Sequence, residues 1–199
     1  MFALWMFGYT LENVWGPKRF LIFYFVTGIG AAITHTVVMG IDYYSIQSAI
    51  NQYAHDPNVD SFMALISDKF NGYYNPQKLH QFIDAWRALP GDKAFAAQSL
   101  ELAQSLLSAK ANIPTVGASG SVYGILLAFG MMFPNALIFV YFLFPIKAKW
   151  FVLAYGLIEL ITGLTSAVDG VAHFAHLGGM IFGFFLIRYW QKNSFTRWD

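Results

Sequence analysis

The chain has 199 residues, 57% hydrophobic, 19% aromatic and 12% charged, with a formal net charge of +1 and no cysteine. Soluble domains carry about 25% charged residues, so the deficit points to lipid as the solvent. Near-neutrality excludes the basic footprint of a nucleic-acid binder, and the absent cysteines exclude a disulfide framework and thiolate metal sites.

Met1 runs straight into Phe2-Ala3-Leu4-Trp5-Met6-Phe7 without a basic leader, so no cleavable signal peptide is expected. Met1 to Leu11 is apolar but short of the roughly 20 residues that cross a bilayer. Lys18 and Arg19 then precede a span from Phe20 to about Gly40, with His35 near its outer end. Residues 41–112 differ in kind: they hold seven of the eleven acids and five of the twelve bases, with no membrane-length apolar run. Within them Leu79, Phe82, Ile83, Trp86 and Leu89 fall at helical spacing. Asp92 can cap a further helix through about Lys110, with Leu100, Leu102, Leu106 and Leu107 on its apolar side.

Ile113 to Phe133 and Val171 to Trp190 are full spans, and Trp150 to Thr165 is a shorter one. Ala136 to Phe144 is cut off by Pro145 and two lysines and is expected to lie at the interface. Trp5, Trp150 and Trp190 suit interfacial anchoring. Basic residues at Lys18, Arg19, Lys147, Lys149, Arg188, Lys192 and Arg197 all fall on one side if the spans alternate. The positive-inside rule makes that side cytoplasmic, which puts the 41–112 segment outside. The expected architecture is all-α: a polytopic transmembrane helix bundle with an extra-cytoplasmic helical insert.

Two motifs carry chemistry. Gly117-Ala118-Ser119-Gly120 opens one span and Ala175-His176-Leu177-Gly178-Gly179 sits near the start of another. Ionisable groups are rare inside a bilayer and usually functional, and a serine with a histidine is the minimum for nucleophilic acyl transfer. At 1.5 Å per residue, Ser119 lies about 9 Å below the rim counted from Ile113, and His176 about 10 Å counted from Asp169. Gly120 with Gly124, and Gly179 with Gly183, form Gly-xxx-Gly steps that allow close backbone approach. Gly117 and Gly120 are expected to let the chain bend tightly and a substrate carbonyl come close, and N–H groups at the helix start suit an oxyanion. Tyr123, one turn beyond Ser119, can pack on the His176 ring.

Rival readings attach to several residues. His173 and His176 are spaced for a metal, yet Asp169 is the only carboxylate nearby in sequence and no His-Glu-x-x-His occurs, so no metal is expected. His173 otherwise faces the outer region, meeting water or substrate backbone. Glu159 lies near mid-span, a costly place for a carboxylate. A proton relay is one reading; we prefer a structural bond to a neighbouring helix, because the position is too deep to join Ser119. A transporter lacks support, for want of a line of charges or an internal repeat.

The chain resembles the rhomboid intramembrane serine proteases. The likeness runs through Phe7-Gly8-Tyr9-Thr10-Leu11-Glu12, Trp15-Gly16, Arg19-Phe20, and Gly117-Ala118-Ser119-Gly120 with Tyr123 and Gly124. It continues through Phe133-Pro134-Asn135, Pro145-Ile146-Lys147-Ala148-Lys149 and Ala172-His173-Phe174-Ala175-His176-Leu177-Gly178-Gly179 with Gly183. The resemblance implies Ser119 as nucleophile, His176 as general base and Tyr123 stacked on it, in a cofactor-free endopeptidase that cleaves transmembrane segments of membrane proteins near their outer ends. A bacterial inner membrane is the expected location. Family members carry a His-x-x-x-Asn pattern whose Asn would fall immediately before Met1, so residues 1–199 are expected to form one rhomboid-like domain cut at its N-terminus. The contrasting expectation is an inactive rhomboid-like protein that binds other membrane proteins. The 41–112 insert is either a substrate screen or a self-packed surface decoration.

Overall fold

A computed structural model describes residues 2–113, 118–140, 143–165 and 172–193. In chain order the elements are α1 (Phe2–Trp15), α2 (Pro17–Tyr53), α3 (Val59–Lys69), α4 (Pro76–Ala88), α5 (Lys93–Ala111), α6 (Ala118–Met132), β1 (Leu137–Val140), β2 (Phe144–Lys147), α7 (Ala148–Thr165) and α8 (His173–Asn193). The architecture is helical, as expected. The chain divides into two compact units: Met1–Val37 with Thr115–Thr165 and Ala172–Asp199, and Val38–Pro114 with Ser166–Val171.

In the first unit, Gly16 adopts a positive φ of 78° between α1 and α2, and its N–H donates to the Glu12 carbonyl at 2.7 Å. Pro17 then opens α2 with its φ already suited to a first helical turn and no N–H to leave unpaired. The core gathers Phe7, Leu11, Phe23, Ile125, Leu126, Val152, Met180 and Ile187. Trp190 packs edge-on against Trp15, ring centroids 5.5 Å apart, so it belongs to this packing as well as to the helix end; Trp5 and Trp150 are exposed.

Glycine sets the spacing of α6 and α8. A Cβ built on Gly179 would collide with the Gly120 carbonyl, and one on Gly124 would lie 3.0 Å from the Gly179 oxygen. A Cβ on Gly183 would lie 3.5 Å from Gly124 Cα. The two Gly-xxx-Gly steps therefore face each other. α2 closes on the same seam: Ala31 fills the space beside Gly120, Thr34 lies against Gly178, and Ser121 Oγ donates to the Tyr24 carbonyl at 2.9 Å.

Two boundaries differ from the sequence reading. The span expected to stop near Gly40 continues as helix to Tyr53, so His35 lies within α2 and not at its end. No proline interrupts residues 36–53, and Ile46, Ile50 and Tyr53, at i, i+4 and i+7, are buried in the second unit's core. The interfacial segment expected at Ala136 to Phe144 is half of an antiparallel hairpin, in which Ile138 pairs with Ile146 and Phe139 with Pro145. Ile138 is buried between exposed Leu137 and Phe139, the two-residue period of a strand, and an edge strand tolerates proline. The span expected from Ile113 is described as helix only from Ala118, and residues 114–117 lie outside the described set. By length and apolarity, α2 and α7 suffice to cross a membrane; α6 is apolar but has 15 residues.

In the second unit, α3, α4 and α5 are each capped. Asn58 accepts from the Ser61 N–H while the Ser61 hydroxyl accepts from the Asn58 N–H, closing a capping box. Asn75 precedes Pro76 and accepts from Lys78 N–H at 3.1 Å. Asp92 caps α5, accepting from Ala94 N–H at 2.8 Å. The caps hold a core of Ile46, Ile50, Phe62, Ile66, Phe70, Ile83, Trp86, Ala103 and Leu107. Tyr53 hydrogen-bonds Ser99 across it, and Lys110 pairs with Asp42 at 2.8 Å.

Because a methyl at position 179 meets backbone on the facing helix, Gly179→Ala is expected to destabilise the fold by about 1–3 kcal/mol in mixed-micelle unfolding, the range for overpacking. Gly40→Ala, a helical site with open space around it, is the control. It is expected to be neutral or stabilising by about 0.5–1 kcal/mol.

Candidate active site

Ser119 is the second residue of α6, one residue before the glycine that touches α8. His176 lies in the first turn of α8, three residues before Gly179. Close helix approach thus sets the two side chains opposite each other, and His176 Nε2 lies 3.0 Å from Ser119 Oγ. Tyr123, one turn beyond Ser119, stacks on the imidazole with ring centroids 4.1 Å apart and planes 8° from parallel. Ser119 and Gly120 are among the first described residues of α6, toward the positive end of its dipole.

The structure relocates two of the predicted supporting residues. Gly120 is buried against Ala31 and the Ala175 carbonyl, and it is not among the described glycines with positive φ. Its missing side chain serves helix contact, not the tight bend expected of it. His173 does not face outward alone: its Nδ1 lies 2.6 Å from Glu159 Oε2 and 3.1 Å from Thr162 Oγ1. Gly117 and Asp169 lie outside the described residues.

Glu159 is the residue that the sequence reading placed wrongly. It does bond a neighbouring helix, as expected, but it also joins the Ser–His pair from the far side of the ring. Oε2 lies 2.9 Å from His176 Nδ1, and Oε1 accepts the Tyr123 hydroxyl. Only 6% of Glu159 and 7% of His176 is exposed. Depth arithmetic measured reach to Ser119 and overlooked the second ring nitrogen. A signal was available: a carboxylate in a lipid-embedded helix needs donors, and two histidines one turn apart supply them. Among the described residues, no buried side-chain nitrogen or oxygen lacks a partner.

Glu159, His173 and His176 also each offer a ligand atom, all within 4.8 Å of one another. The expectation that Asp169 alone offers a carboxylate near the two histidines is therefore corrected, since α7 supplies Glu159. Two imidazoles and a carboxylate form a donor set that suits zinc, while the mutual hydrogen bonds already account for all three groups without an ion.

Chemically, the arrangement offers a hydroxyl against a buried imidazole with an aromatic wall on one face. A family model, described as the Rhomboid domain, matches residues 1–46 and 94–192 and omits a stretch inside the insert. Neither the curated proteins nor the solved structures give a match.

The Tyr123 hydroxyl links α6 to the Glu159 carboxylate, so its removal isolates that bond while keeping the stacked ring. Tyr123→Phe is expected to cost about 1–3 kcal/mol in mixed-micelle unfolding, the range for a buried bond to a charged group. Tyr155→Phe, on an exposed neighbouring ring, is expected to stay within about 0.5 kcal/mol.

Proposed function

The chain belongs to the rhomboid family, and from that premise we propose that it is an intramembrane serine endopeptidase working through Ser119 and His176. The observation that carries this reading is the 3.0 Å approach of His176 Nε2 to Ser119 Oγ. The family and the two apolar helices make it a membrane protein; a multi-pass topology in a bacterial inner membrane is part of the proposal. The one-sided placement of Lys18, Arg19, Lys147, Lys149, Arg188 and Lys192 under alternating spans supports it. In the same proposal, residues 41–112 form a helical insert within a single rhomboid-like domain.

In the proposed reaction, Ser119 Oγ attacks the scissile carbonyl of a substrate transmembrane segment as its proton passes to His176 Nε2. The carbonyl oxygen becomes an oxyanion held by N–H groups at the start of α6, with Gly117 and Gly120 beside the nucleophile. His176 then gives its proton to the leaving amine, and an acyl-enzyme remains on Ser119. Water, deprotonated by the same imidazole, releases the second product. No cofactor takes part. Tyr123 holds the plane of the ring through both transfers, and membrane proteins in the surrounding bilayer are the partners.

A fluorophosphonate probe on the detergent-purified chain tests this. Labelling is expected in the wild type, absent in Ser119→Ala, and reduced by about 10³-fold or more in His176→Ala, given how triad members act as a unit. Labelling that survives Ser119→Ala, or a wild type that takes no label, would overturn the proteolytic reading.

A further inference from the structure

We propose that Glu159 is the positioning residue for the base, fixing the tautomer and plane of His176 so that Nε2 meets Ser119 unprotonated; this rests on the proteolytic reading above. An ionised carboxylate can only accept hydrogen bonds, and a neutral imidazole carries one N–H. Glu159 Oε2 lies 2.9 Å from His176 Nδ1, so the ring proton belongs on Nδ1. The lone pair is then left on Nε2, 3.0 Å from Ser119 Oγ.

The same carboxylate holds the ring a second way. Its Oε1 takes the hydroxyl of Tyr123, the residue whose ring lies flat against the imidazole. One anion therefore governs both the in-plane bond and the stacking wall. Its own position is secured by His173, whose Nδ1 reaches Oε2 at 2.6 Å and Thr162 Oγ1 at 3.1 Å. Donors from α6 and α8 thus converge on a carboxylate carried by α7.

Its contribution to the step follows. As the Ser119 oxygen bonds to the carbonyl carbon, its proton moves to Nε2 and the carbonyl π pair moves onto oxygen. His176 becomes an imidazolium whose Nδ1–H still points at Glu159. Glu159 takes no proton, and its charge offsets that of the ring where water is excluded.

Glu159→Gln separates positioning from packing, because glutamine keeps the volume and still accepts from Tyr123. It turns an amide N–H toward Nδ1, which favours the tautomer with the proton on Nε2. In a Ser-His-Asp triad that change costs about 10⁴ in kcat. Here kcat on a transmembrane substrate is expected to fall about 10²–10⁴-fold with KM within about threefold. A glutamine variant within threefold of wild-type kcat overturns the proposal.

A second readout is independent of turnover: nitrogen NMR of the [¹⁵N]histidine-labelled full chain in micelles, with His173→Ala used for assignment. The Nδ1–H tautomer is expected at His176 in the wild type and the Nε2–H tautomer in Glu159→Gln. Tautomers that do not change overturn the positioning role whatever the activity. If they switch in a protein that hydrolyses nothing, positioning stands and the proteolytic reading falls.

Discussion

Backbone touches backbone where Gly120 of α6 meets Gly179 of α8, and the rest of the site inherits its dimensions from that contact. Lipid tails give no hydrophobic drive for helices to associate, so contact in a bilayer depends on tight packing and on hydrogen bonds. Here both are present. Four glycines remove the side chains that would hold the helices apart, and α2 seals the seam with Ala31, Thr27 and Thr34, tied to α6 by the Ser121 hydroxyl. Ser119 and His176 sit just before their respective contact glycines. Their separation is therefore a property of the helix crossing more than of either side chain.

A buried carboxylate is the second constraint. Removing an ion from water is costly, and a partly satisfied one is worse than none. Glu159 meets that demand with partners drawn from Tyr123, His173 and His176. The network ties α6, α7 and α8 together at one level.

Legibility in the sequence varied with the range of the signal. Ser119 and His176 could be paired from the motifs around them, each lying just before a Gly-xxx-Gly step; the depth counts from Ile113 and Asp169 run through residues outside the described set. Tyr123 follows by one turn. Asp92 announced α5 through its capping chemistry, and the apolar spacing from Leu79 to Trp86 announced α4. The contact of Glu159 was not legible in the same way, since it depends on which helices are neighbours and on which ring nitrogen is left over. α3 escaped notice at 11 residues, although Asn58 and Ser61 spell its capping box. The length of α2 was missed because its second half is amphipathic where its first is uniformly apolar; a search for hydrophobic runs ends where a search for periodicity would continue.

The hairpin of β1 and β2 serves as a depth gauge. A two-stranded ribbon leaves unpaired peptide groups along both outer edges, and hydrocarbon does not tolerate lipid-exposed open edges. In the proposed multi-pass topology its place is among hydrated headgroups, and α7 starts at Ala148, immediately after it. The 18 residues of α7 rise about 27 Å, close to the roughly 30 Å of a bilayer's oily interior. With the opposite boundary of that topology taken at Thr165, Glu159 lies about 9 Å inside it. On the proteolytic reading proposed above, a bond to be cut must travel that far from the aqueous edge, and so must each water molecule that finishes the job.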